Sequence, residues 1–213
     1  MKTRLIATAA LLCALPASGG GVQPTPAQID ALTPIDAAPV RGQVDLAFPP
    51  GASIDGLIAL ATDPTQDLGL QIRAMRTLPQ YCPDGACGSA PLHQTLVNIV
   101  DGYRLVLATT ALPSTELLRL RAAMEALGAT RSGLQSDVDL LTAPVLLRHP
   151  SRDVQVAAVH ALRRLCSSPP ALCSHDTCVE SANAVRALRT GADSQVDAAV
   201  NSALQDLAQC SQP

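Results

Sequence analysis

Four short stretches of this chain resemble one another, and their spacing constrains the fold more than any other feature. Gln71-Ile72-Arg73-Ala74-Met75-Arg76-Thr77-Leu78 aligns with Gln155-Val156-Ala157-Ala158-Val159-His160-Ala161-Leu162. Between them stands Arg121-Ala122-Ala123-Met124-Glu125-Ala126-Leu127, and after them Asp197-Ala198-Ala199-Val200-Asn201-Ser202-Ala203-Leu204. In each, apolar residues recur at helical spacing. The first and third copies lie about two periods apart, each period of about 40 residues being long enough for two helices and their turns.

Small residues at Ala74, Ala123, Ala158 and Ala199 let helices approach closely, and Leu78, Leu127, Leu162 and Leu204 fill the layer between them. One helix pair cannot cover its own apolar face, so successive pairs must stack. The expected fold is all-α: a short α-solenoid of about four helix pairs. The periodicity places helices near 53–61, 65–80, 90–110, 113–128, 136–148, 151–166, 177–190 and 194–209. Ser53, Ser136, Ser151 and Ser194 are candidate N-caps, since a short side-chain oxygen accepts an otherwise unpaired amide hydrogen. Pro64 and Pro150 stand near the starts of second helices, where a missing N–H costs little.

The segment from Leu146 through His149-Pro150-Ser151-Arg152-Asp153 to Leu162 resembles a HEAT repeat. It has an apolar helix, a short turn bearing Pro and Asp, and a second helix with an Ala-Ala-apolar-x-Ala-Leu run. Leu60-Ala61-Thr62-Asp63-Pro64 followed by Leu70 to Leu78 is similar. The resemblance spans about 53–209, and the second copy departs most, with a long first helix and no Asp in its Leu112-Pro113-Ser114 turn. It implies a right-handed solenoid and protein–protein interaction. Some HEAT-like repeats are similar to those of bilin lyases, but the export and disulfides read below argue against that role.

Composition excludes several classes of function. Aromatic residues are 1% of the chain (Phe48, Tyr81 and Tyr103), so the stacking rings of a single-strand nucleic-acid binder are missing. The formal charge is −3, which does not give a duplex binder its basic face. With 47% hydrophobic residues the chain has the means to bury a core, which it must build from Ala, Leu and Val.

Residues 1–17 read as a signal peptide. Lys2 and Arg4 precede an apolar run from Leu5 to Leu15 that is too short to span a bilayer, and Ala17 offers a small residue for cleavage. Cys13 raises the alternative of a lipoprotein anchor, although Leu12 stands where a small residue is expected. No later apolar run is long enough to span a membrane, so the expected location is periplasmic or extracellular. Residues 18–52, rich in Gly and Pro, read as a linker or extended irregular arm. Within it, Val40 to Phe48 could pair as a short strand or pack against the first helix. Residues 53–213 form the repeat domain.

Setting Cys13 aside leaves six cysteines, an even number suited to disulfides in an exported chain. Cys82 and Cys166 each lie four residues beyond a matching leucine, and each is followed by a loop and a second cysteine. This predicts Cys82–Cys87 and Cys166–Cys173. Cys178 and Cys210 then open and close the last helix pair, where antiparallel ends meet. A rival reading gathers Cys166, Cys173, His175 and Cys178 into a zinc site, making the chain a metal-binding or enzyme-accessory protein. Its spacings match no strong zinc motif. Ser174-His175-Asp176 invites a triad reading, yet triads are assembled in space, and loop polarity with a helix cap explains the run.

His93 opens a helix, His149 sits in a repeat turn, and His160 shares its repeat position with Arg76, Glu125 and Asn201. All three are expected at the surface. Asp137 and Asp139 flank a helix start, where negative charge suits the dipole. No nucleotide motif appears. The sequence therefore gives no catalytic, cofactor-binding or metal residue, and the expected function is a non-catalytic scaffold for a protein partner. Arg73, Arg76, Arg121, Glu125, Arg152, Gln155, Arg163 and Arg164 are the exposed polar candidates for its surface, with no face assigned.

Overall fold

The computed structural model describes residues 23–33, 39–83, 87–88, 90–166 and 174–210. Residues 1–17, expected to be a signal peptide cleaved near Ala17, lie outside the described residues, as do Cys13 and Cys173. Among the described residues the fold is all-helical, with no strand.

The segment before Ser53 differs from the expected irregular arm. It contains α1 (Pro26–Leu32) and α2 (Arg41–Ala47). Thr25 and Gln28 form a reciprocal capping box, and Pro26 occupies the first turn, where its missing N–H costs little. Helices this short are marginal alone and persist through tertiary contact. Leu32 and Val44 are fully buried. No strand forms over 40–48; the other reading holds, because Phe48 packs on the first long helix. Tyr81 donates to Asp45 Oδ1 at 2.7 Å, and the Arg41 guanidinium lies 4.8 Å from the Tyr81 ring centroid. Burial, then the Asp45 bond, pushes the Tyr81 phenol up to about 12.

Four helix pairs follow. The first is α3 (Ser53–Thr62) and α4 (Leu68–Thr77). Asp67, not Pro64, starts α4, its side chain accepting the Leu70 N–H at 3.2 Å. Beyond Thr77 the chain tightens into a 3-10 turn over Leu78–Tyr81, with Pro79 in its first turn. The second pair is α5 (Pro91–Leu107) and α6 (Ser114–Ala129). In the third, the single helix expected over 136–148 is two, α7 (Gln135–Leu141) and α8 (Pro144–Leu147). Pro144 has no N–H to continue the ladder, so it begins a new turn instead. They precede α9 (Arg152–Cys166); the last pair is α10 (His175–Arg186) and α11 (Ser194–Cys210).

Three of the four expected serine caps are displaced. Ser53 and Ser194 are first helical residues, and Ser136 is the second of α7. Asp193 does the work before α11, its Oδ1 taking the Gln195 and Val196 amide hydrogens at 2.9 and 3.2 Å. Ser151 precedes α9, where its backbone carbonyl accepts from Val154 and Gln155.

The second helices pack in series, α4 on α6, α6 on α9 and α9 on α11, while α3 meets α5 and α7 meets α10. Ala74, Ala123 and Ala158 are fully buried in this layer, with Leu78, Leu127 and Leu162. Leu204 is half-buried, since no helix covers α11 on its outer side among the described residues. The α6–α9 approach is close: a Cβ on Gly128 would stand 2.5 Å from Ala161 Cα. Two disulfides close the edges. Cys82–Cys87 spans 5.0 Å between Cα atoms, and Cys178–Cys210 spans 6.1 Å. The expected Cys166–Cys173 bridge falls on a residue outside the described ones.

Candidate functional site

The packing order puts one polar stripe of each second helix on a common face. The stripes are joined across helices. Arg76 of α4 donates from Nη2 to Glu125 Oε2 of α6 at 2.8 Å. Arg121, one turn before Glu125, donates from Nε to Oε1 at 2.9 Å and has Nη1 3.8 Å from Asp153 of α9. Arg163 of α9 donates from Nε to Asp206 Oδ2 of α11 at 2.5 Å and from Nη1 to Ser202 Oγ at 3.0 Å. Arg76 and Glu125 share a repeat position, so residues 49 apart in sequence meet because their helices are stacked. Burial alone works to raise the Glu125 carboxyl. The Arg121 hydrogen bond and the Arg76 and Arg121 charges outweigh it, holding the group below its ordinary value.

A cleft of about 360 Å³ opens on this face between α6, α9 and α11, lined by Glu125, His160, Arg163, Arg164 and Asp206. His160 is half-buried here rather than standing on a freely solvated face. Burial, followed by the Arg163 and Arg164 charges, keeps its imidazole below the ordinary value. Near neutrality the cleft therefore holds a neutral ring together with two guanidiniums and two carboxylates.

No protein-family model, curated protein or solved structure matches this chain.

Of the polar residues singled out in the sequence, the structure brings together Arg76, Arg121 and Glu125, and gathers Arg163 and Arg164 in the cleft. Arg73, Arg152 and Gln155 do not line it. Asp206 and Ser202 were missed. Their signal was the repeat period itself, since Arg163 and Asp206 lie 43 residues apart.

A second polar cluster was also missed. His93, expected at the surface, is buried at the start of α5, with Nε2 2.7 Å from Asp137 Oδ2 of α7. The Ser132 hydroxyl donates to the same Asp137 oxygen. Asp137 is 1% exposed, so this carboxylate is a buried tie between α5, the 131–134 turn and α7, not a solvated dipole partner. Both partners converge on the carboxylate, so the imidazole does not stand between hydroxyl and acid as a triad requires. Asp139 stays exposed and accepts from Gln135 Nε2 at 2.9 Å. His149 is buried as well; its Nδ1 accepts the Ser151 amide hydrogen at 2.9 Å, and burial keeps the ring below its ordinary value.

The Cys/His segment is divided. Cys178 is bonded to Cys210, which takes its thiolate out of any metal set while the bridge is intact. Cys166 is buried at the end of α9, its Sγ 3.4 Å from Ser181 Oγ. Ser174 is the N-cap of α10, accepting the Thr177 N–H at 3.1 Å, with His175 and Asp176 exposed in the first turn. No group of His, Cys, Asp and Glu side chains suited to a metal ion occurs among the described residues.

Proposed function

We propose that this chain is an exported, non-catalytic scaffold that binds a protein partner on the face formed by α4, α6, α9 and α11. The reading takes the stacked pairs as a short right-handed α-solenoid of about four HEAT-like repeats. Such stacking presents a continuous surface built from one stripe per repeat. The observation that carries the reading is the run of ion pairs Arg76–Glu125–Arg121–Asp153 and Arg163–Asp206, which fixes side chains across four successive second helices. A partner meeting such a surface finds much of the side-chain ordering already done, and that lowers the cost of association. Disulfides support an oxidising compartment, and no described helix is long and apolar enough to cross a membrane.

Partner capture from the native envelope fraction tests this, run with wild type and with the Arg163→Glu/Arg164→Glu double variant. One protein enriched by wild type and lost with the variant is the expected result. No enrichment under several cross-linking conditions, or enrichment indifferent to the variant, counts against it. Intact mass before and after reduction checks export: cleavage near Ala17 and three disulfides are expected.

A further inference from the structure

We propose that α1 and α2 form a redox-dependent strap, which closes on the first helix pair while the Cys82–Cys87 bridge is intact and opens when a dithiol reduces that bridge.

The strap is clasped at one place. Gln80 Nε2 donates to the Pro39 carbonyl at 2.7 Å, and the Tyr81 hydroxyl donates to Asp45 Oδ1 at 2.7 Å. Arg41 Nη1 donates to the Gln80 carbonyl at 3.5 Å, and the same guanidinium lies over the Tyr81 ring. On the repeat side, these polar contacts end on two adjacent residues, Gln80 and Tyr81.

Those two residues belong to a turn anchored from both directions. Upstream, the turn continues α4, and Leu78 is fully buried. Downstream, the Cys82 N–H donates to the Pro79 carbonyl at 3.2 Å, and the Cys82 sulfur is bonded to Cys87. The Cys87 carbonyl accepts the Ala90 N–H, and Ala90 is the N-cap of α5. The bridge thus ties the residue after the clasp to the start of α5, and its loss removes the downstream anchor.

The strap has little to hold it elsewhere. Its helices have seven residues each, too short to persist without tertiary contact. The segment buries Leu32 and Val44 completely and sets Phe48 on Gly56. Folding and docking of the segment are therefore one cooperative event, and a change at the clasp shifts it as a unit.

Reduction breaks the Cys82–Cys87 bond and leaves two thiols, while the dithiol gives up two electrons and two protons and becomes a disulfide. The coupling is reciprocal: a bridge that favours the closed strap is itself favoured by the closed strap, by the same factor. Cys178–Cys210 lies in the last pair and supplies the control.

The test compares amide hydrogen exchange of the oxidised protein with that of the Cys82→Ser/Cys87→Ser variant. Exchange in α2 should quicken at least about tenfold, with α9 and α11 unchanged. Cys178→Ser with Cys210→Ser should leave α2 as protected as in wild type. Equal protection of α2 with and without Cys82–Cys87 overturns the proposal. So does loss of α2 protection in both double variants alike, or loss spread evenly over the whole chain of a folded variant. If Cys82→Ser/Cys87→Ser does not fold, the reciprocal measurement decides. Wild type and Asp45→Ala are equilibrated in a dithiol–disulfide buffer, alkylated, and read by peptide mass. Asp45→Ala should shift Cys82–Cys87 toward the reduced form and leave Cys178–Cys210 where it was. An unmoved Cys82–Cys87 equilibrium means that bridge and strap are uncoupled, which sinks the proposal and leaves the scaffold reading untouched.

Discussion

Gly128 of α6 lies against the backbone of Ala161 in α9, with space for a hydrogen and none for a methyl group: an added Cβ would be 2.5 Å from Ala161 Cα and 2.7 Å from its carbonyl oxygen. Neither atom can rotate away. Gly128→Ala gains about 1 kcal/mol of helix propensity. It loses about 1–3 kcal/mol to overpacking, and here the obstacle is backbone, so the larger figure governs. The expected outcome is a net loss of about 1–2 kcal/mol, read as a lower midpoint in denaturant at unchanged slope. A variant as stable as wild type would show that α6 and α9 slide freely.

Asp137→Ala leaves His93 and Ser132 buried without their acceptor. We expect a loss of about 3 kcal/mol, since removing one partner strands the other. Asp137→Asn keeps a carbonyl oxygen and should lose less. Equal losses in the two would mean that a carbonyl acceptor at position 137 does nothing for His93 and Ser132.

Phe48 covers Gly56, where an added Cβ would lie 2.3 Å from the ring. Gly56→Ala should unseat this ring, giving up about 1.5–3 kcal/mol of its burial. The contact belongs to the N-terminal segment, so limited proteolysis should cut faster near residues 48–52 while the repeats melt almost as before. Phe48→Ala should behave alike.

His149 and His160 both have lowered pKa values in the fold, from burial first, with Arg163 and Arg164 adding to the effect at His160. The unfolded chain therefore binds protons more readily than the folded one at these sites. Stability should fall as pH drops below about 6.5, the ordinary imidazole value, and be restored above it. At His149 the protonated ring also loses the Nδ1 acceptor for Ser151. Thermal melts between pH 7.5 and 5 check this, with His160→Gln expected to flatten part of the slope.

The second helices were legible because their information is local. An Ala-Ala-apolar-x-Ala-Leu run declares both helix and buried stripe, and Ala123, Ala158, Leu127 and Leu162 are fully buried. The short helices before Ser53 were not, since α2 has no side-chain cap and is held by Tyr81 and Gln80 far along the chain. Thr25-Pro26-x-Gln28 did carry a readable start signal for α1. His93 and Asp137 are 44 residues apart in first turns of different pairs. Their meeting depends on how α5 and α7 stack, which no local pattern states. The cleft depends on the same stacking: Arg163 and Arg164 were visible as polar residues, but Asp206 becomes their neighbour only once α11 lies on α9.

The Cys178–Cys210 bridge has a mechanical consequence. Tension applied to the end of the chain enters at Cys210 and passes through sulfur to Cys178, so the covalent load path skips almost all of α11 and most of α10. The loop between the two cysteines cannot lengthen under an oxidising pull, whatever its thermodynamic stability. In the folded protein, the first long helix to bear force from the C-terminal side is α9, the helix that carries His160, Arg163 and Arg164. Reduction would return the bypassed residues to the path, adding about 3.3–3.6 Å of extension for each.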